Sequence, residues 1–188
     1  MSHPYSSLPP EGFWKTAVSE KSPFEVCNLW TPKFPITRKT QIVTAGSCFA
    51  QHFSRALVAR GYSWLDTEPG PAGLNPQQRH DYHYGVFSFR TGNIYTPRML
   101  RQGLEWAIAD VPPPEEIWET EGRFFDPFRP AVEPGGFASA EELHLSRAQT
   151  LAAIRRAVTE ADVFVFSRVM QHGVEVDVVD LGHRHDVA

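Results

Sequence analysis

Apolar positions along the chain come in short bursts whose spacing changes from one burst to the next. Residues 40–45 form a β-rich run that stops at Gly46, the pattern of a buried strand. Directly after it, Phe49, Phe53, Ala56, Leu57 and Arg60 fall at helical spacing. Gly61 follows where a C-terminal cap belongs, so a helix is predicted over 49–60. Residues 62–65 read as a second strand, and 85–90 alternate weakly, as a strand at a sheet edge would. Thr96-Pro97 offers a capping hydroxyl and a proline at the first helical position, with Leu100, Leu104, Ala107 and Ile108 as the apolar stripe behind it. Residues 117–119 and 123–125 flank Thr120-Glu121-Gly122 as the arms of a hairpin. Ser139 and Glu142 have capping-box spacing and open a helix to about Glu160. Residues 162–166 make a second strongly apolar strand.

Strands alternating with helices predict an α/β fold, a three-layer α/β/α sandwich with a mainly parallel sheet. Three regions are expected. Residues 1–38 lack sustained periodicity and form an aromatic, proline-rich arm, with Trp14, Phe24, Trp30 and Phe34 as anchors on the body. Residues 39–166 form the α/β domain. In 167–188 no period is evident, so the sandwich is expected to be incomplete on its C-terminal side. The 16 prolines and 13 glycines cluster between elements and mark long connections.

Charge and composition narrow the function by exclusion. A formal net charge of -4 and the absence of a Lys/Arg stripe argue against a nucleic-acid partner. No apolar run is long enough to span a membrane, and residues 1–5 carry no basic patch ahead of an apolar core. A cytoplasmic location is expected. Two cysteines, Cys27 and Cys48, make neither a disulfide framework nor a zinc site. No cofactor or metal is expected, and the oligomeric state is not readable.

Gly46-Ser47-Cys48-Phe49-Ala50 sits where the first strand hands over to the first helix. A helix start presents unsatisfied N–H groups and the positive end of its dipole, so charge developing on an oxygen there is stabilised. Ser47 is therefore a candidate nucleophile, although a hydroxyl needs a base to take its proton. The plainer alternative is that Ser47 only caps the helix. Cys48 competes as a nucleophile, or is a small buried hydrophobe. His80 and His83 could form a metal pair, or belong to a polar loop after Pro76.

Four ordered stretches together closely resemble the GSCFA family, a branch of the SGNH/GDSL-type hydrolases. They are Thr44-Ala45-Gly46-Ser47-Cys48-Phe49-Ala50, Lys33-Phe34-Pro35-Ile36, Thr91-Gly92-Asn93-Ile94-Tyr95-Thr96, and Asp126-Pro127-Phe128-Arg129-Pro130 followed by the helix into Val163-Phe164-Val165-Phe166. The resemblance implies a flavodoxin-like sandwich and a serine esterase or O-acyltransferase acting on an acylated carbohydrate or other small molecule. It implies Ser47 as catalytic nucleophile and Gly92 with Asn93 as oxyanion-hole donors. Gly92-Asn93 would serve equally well as a turn before the Thr96 cap. Past Phe166 such proteins continue with Thr-Leu-Gly-Leu-Thr-Glu, where this chain has Ser167-Arg168-Val169-Met170, and their catalytic base lies downstream. A shifted reading frame near Ser167 is one expectation, and weak or absent activity another. Asp180 and His183 have the Asp-x-x-His spacing of an acid and base, a pairing that chance supplies readily in a chain with eight histidines. Two rival readings are a non-catalytic binding module on the same fold and an unstable fragment with a sheet edge bared after Phe166.

Overall fold

The computed structural model describes residues 5, 7–109, 111–170 and 173–182. The chain divides into two units, Met1–Ile36 and Thr37–Ala188. The first holds a 3-10 turn at Pro10–Gly12 and a short π-helix at Lys15–Ser19, and its Trp14, Phe24 and Trp30 are exposed.

The second unit is organised around β1 (Ile42–Gly46), which is buried at every position. Strand β4 (Val163–Met170) runs parallel to it, pairing Ile42 with Val163 and Gly46 with Ser167. Strand β5 (Gly173–Asp180) returns antiparallel along the outer edge of β4, so the sheet has the order β1-β4-β5 and is mixed. The expected mainly parallel sheet is not what the described residues build. Residues 62–65 contribute one parallel bridge, Trp64 to Ile42, instead of a strand. The reason lies at Thr44. Its N–H donates to Ser88 Oγ at 2.9 Å and its carbonyl accepts from Ser88 N–H at 3.1 Å, so the 86–90 segment takes the hydrogen bonds a longer neighbouring strand would need. Those five residues are buried but irregular.

Neither does the chain lose its pattern at Ser167. Strand β4 continues to Met170, and β5 reads Val174-Glu175-Val176-Asp177-Val178, an alternation of period two. The edge of β4 is therefore covered. Arg168 pairs across to Glu175 at 2.6 Å and Asp177 at 3.2 Å, and acidic side chains stud the new edge.

Helix α1 (Cys48–Ala59) leaves β1 directly and ends before Gly61, whose φ of 73° suits the turn-off. A short α2 (Pro76–Asp81) begins with a capping box between Asn75 and Gln78. Helix α3 (Pro97–Ile108) is capped by Thr96 Oγ1, and α4 (Ala140–Glu160) by Ser139 Oγ, as the spacing predicts. The hairpin β2 (Trp118–Thr120) and β3 (Arg123–Phe125) turns on Glu121 and Gly122, both at positive φ, the geometry that matches strand twist. Val43, Ala45, Phe164 and Phe166 from one face of the sheet join Ala107 of α3 and Ala153, Ile154 and Ala157 of α4 in the principal core. Among the described residues, no helix is long and apolar enough to cross a membrane.

Candidate functional site

Ser47 stands at the carboxyl end of β1, between that strand's parallel neighbours: Trp64 on one side and β4 on the other. In open α/β sheets ligands bind at such a reversal of strand order. Ser47 occupies the N-cap position of α1 but makes no side-chain cap bond. Its Oγ lies 3.1 Å from Ser167 Oγ, while its N–H donates to the Ser167 carbonyl at 2.8 Å and to Ser167 Oγ at 3.1 Å. Both hydroxyls are buried, Ser47 at 0% exposure and Ser167 at 1%. Ser167 is thus the residue that sequence reasoning missed. It is the first position of the stretch read as foreign, and 120 positions separate it from Ser47. Only the parallel register joins the two.

The 91–95 segment closes over the same junction. Ile94 N–H donates to the Gly46 carbonyl at 2.8 Å, and Gln51 Nε2 of α1 donates to Asn93 Oδ1 at 3.4 Å. Asn93 Nδ2 in turn donates to Tyr95 Oη at 3.0 Å. Gly92 is buried at φ 73°, a conformation that favours glycine. Among the described residues no protein acceptor takes the N–H of Gly92 or of Asn93. The structure therefore brings the 92–94 segment to the end of the sheet that holds Ser47, with Ile94 bonded to Gly46 and Asn93 to Gln51.

Other candidates lie elsewhere. Cys48 is exposed on the first turn of α1 rather than buried. Asp180 pairs with Val163, four residues back along β4 from Ser167, so it sits roughly 13 Å along the sheet from the Ser47 junction, at its other end. His183 lies outside the described residues. Among the described residues, no imidazole or carboxylate hydrogen-bonds Ser47. His80 and His83 are not a loop pair: His80 belongs to α2, while His83 follows at φ 61° with its ring against Gly92. The buried Nδ1 of His83 has no partner among the described residues. Burial first, then His80 and Arg90, hold that imidazole below its ordinary pKa. No group of three metal-ligating side chains occurs among the described residues.

Behind Asn93 an apolar cavity of about 180 Å³ opens between α3 and α4, lined by Phe89, Ile94, Leu100, Leu104, Leu151 and Ile154 among others. Part of its wall is a buried charge network. Asp126 Oδ2 accepts from Arg129 Nε at 2.9 Å and from Arg147 Nε at 3.3 Å, and Oδ1 from Arg147 Nη2 at 3.0 Å. Burial alone would raise the Asp126 pKa, but the two guanidinia outweigh it and hold the carboxyl below its ordinary value. Such a cluster is held by geometry as much as by charge, since unpaired buried ions are costly. It gives the Asp126-Pro-Phe-Arg129 stretch a physical role.

A model of the GSCFA family matches residues 41–168, from the residue before β1 to the one after Ser167. No curated protein and no solved structure matches the chain.

Proposed function

Because the chain belongs to the GSCFA family, we propose that it handles esters through Ser47, as a serine esterase or O-acyltransferase of the SGNH type acting on an acylated carbohydrate or similar small molecule. The observation that carries this reading is the state of the Ser47 hydroxyl. It stands at a helix start yet does not cap the helix, and its partner is another hydroxyl, Ser167 Oγ at 3.1 Å. A structural serine at this position would bond the N–H groups of the first turn.

In the proposed reaction, Ser47 Oγ forms a bond to the acyl carbon while the bond to the departing alcohol breaks. Negative charge passes through the carbonyl oxygen, where the unpaired N–H groups of Gly92 and Asn93 would receive it. The Oγ proton must leave as the bond forms. Ser167 can orient that hydroxyl but is too weak a base to accept its proton, which passes to water or to the oxygen of the departing alcohol, so the step lacks an efficient base within the described residues. Because Ser47 is fully buried, substrate reaches its hydroxyl only after some local opening. Slow chemistry follows from both facts.

Hydrolysis of p-nitrophenyl acetate tests the reading. The chain should hydrolyse it slowly, by no more than the ~10³–10⁴-fold over water that sites without their base retain. An acetyl group should accumulate on the Ser47 peptide, read by mass spectrometry, and be absent from Ser47→Ala, with Cys27→Ser and Cys48→Ser in both proteins to remove the exposed thiols. A folded protein whose Ser47 takes up no acetyl group would contradict it and favour a non-catalytic binding module, the reading to which the burial of Ser47 and its lack of a base also lend weight.

A further inference from the structure

The cavity between α3 and α4 has a feature that helix packing does not explain. Gly103 lies in the middle of α3 and lines that cavity. Glycine inside a helix costs up to ~1 kcal/mol relative to alanine, so it is usually retained for close helix contact or a positive φ. Neither applies here. Gly103 is not among the glycines with positive φ, and a Cβ added to it would meet nothing within 4 Å. What its missing side chain leaves is room.

The rest of the wall says what kind of group the room suits. It is mostly apolar, and its arginines spend four of their five N–H donors each on the protein itself. Every side-chain nitrogen of Arg129 is engaged, with Asp126, Thr150, Ser146 or the Arg90 carbonyl. Those of Arg147 are engaged with Asp126 or the carbonyls of Pro114 and Glu116. An anionic head group would have to compete with these bonds, whereas an apolar group fits the remaining lining without disturbing them. Apolar cavities of about 150 Å³ take up ligands the size of benzene. Asn93, whose N–H has no protein acceptor, lies on the same lining.

We infer that this cavity is the acyl pocket of the site, receiving a short, unbranched apolar chain of the order of six carbons, and that Gly103 keeps it open. The assignment of the occupant as an acyl group rests on the reading of Ser47 and Asn93 given above. Because Asn93 lies on the lining, the acyl chain of an ester whose carbonyl oxygen was held at the Asn93 N–H would start at the cavity wall.

The experiment separates binding from chemistry by using amides that the site cannot turn over. N-methylhexanamide and N-methylacetamide are titrated into wild type, Gly103→Ala and Gly103→Leu, followed by the methyl NMR signals of Ile94, Leu104 and Leu151. The hexanoyl amide should shift those methyls and bind at least tenfold more tightly than the acetyl amide. Gly103→Leu should weaken it at least tenfold and Gly103→Ala much less. If Gly103→Leu does not fold, the series of acyl lengths on wild type decides alone: affinity that rises with chain length supports the pocket, and flat affinity overturns it. Unshifted methyls, or equal affinity in a folded Gly103→Leu, also overturn it. Should hexanoyl binding hold while Ser47 takes up no acyl group, the pocket stands and only the catalytic reading fails.

Discussion

Gly46→Ala is expected to destabilise the fold by more than about 4 kcal/mol, a large share of the stability of an ordinary domain. Two effects add at this position. Gly46 has φ 134°, a conformation nearly closed to residues with a side chain. Its added Cβ would also lie 2.1 Å from the Ser167 carbonyl oxygen and 2.7 Å from both Ser167 N and Ser167 Oγ. These are mostly backbone atoms of the adjoining strand, so relief requires β1 and β4 to part where Ser47 is held. A urea titration at neutral pH should show the midpoint falling sharply, or yield no folded protein. A midpoint equal to wild type would mean the junction is looser than the register implies.

The second large effect is expected at Asp126. Asp126→Ala removes the shared partner of two buried guanidinia and should cost about 3–5 kcal/mol, the range for stranding buried charge. Asp126 is 1% exposed, and Arg129 and Arg147 are 5% each. The same pairing gives the wild type an acid limit. A carboxyl whose folded pKa is depressed stabilises fully above its unfolded value, near 3.8, and that stabilisation is lost as pH falls through the folded value. This group's contribution should therefore be flat from neutral pH down to about pH 4 and decline below it. Asp126→Asn should be less stable at pH 7 and show a shallower acid dependence. Thermal melts from pH 7 to pH 2.5 measure both, and parallel curves for the two proteins would remove Asp126 from the account.

Elements whose signals are local were legible in the sequence. Thr96-Pro97 and Ser139 with Glu142 mark their helices because a cap is made by residues three positions apart. Glu121-Gly122 marks its hairpin for the same reason. Helix α2 escaped because six residues leave no periodic stripe, although Asn75-Pro76 with Gln78 spelled its capping box. Strand β5 is hidden for a different reason: its valines and acids alternate as an edge strand's do, but they stand where the family resemblance implies Thr-Leu-Gly-Leu-Thr-Glu and a further strand and helix. The 86–90 segment alternates like a strand and is not one, because Ser88 bonds Thr44 through its side chain as well as its backbone.

The candidate site was legible in part. Small residues between a strand and a helix point to Ser47, and Gly92 falls beside a helix cap, but nothing local pairs either with a distant partner. Ser167 reaches Ser47 only through strand pairing across 120 positions, and no single sequence records a parallel register. The cavity was invisible for a related reason. Gly103 reads in sequence as a flaw in a helix, and becomes a feature only when the space in front of it is known to be open.

The most direct test of Ser47 as an acyl-accepting nucleophile is to map the covalent adduct of a hexyl fluorophosphonate. The Cys27→Ser/Cys48→Ser protein is incubated with the probe, digested and analysed by peptide mass spectrometry. One slowly accumulating adduct on the peptide containing Ser47, absent from Ser47→Ala, is the result expected. A folded protein whose Ser47 peptide remains unmodified after prolonged exposure would contradict it.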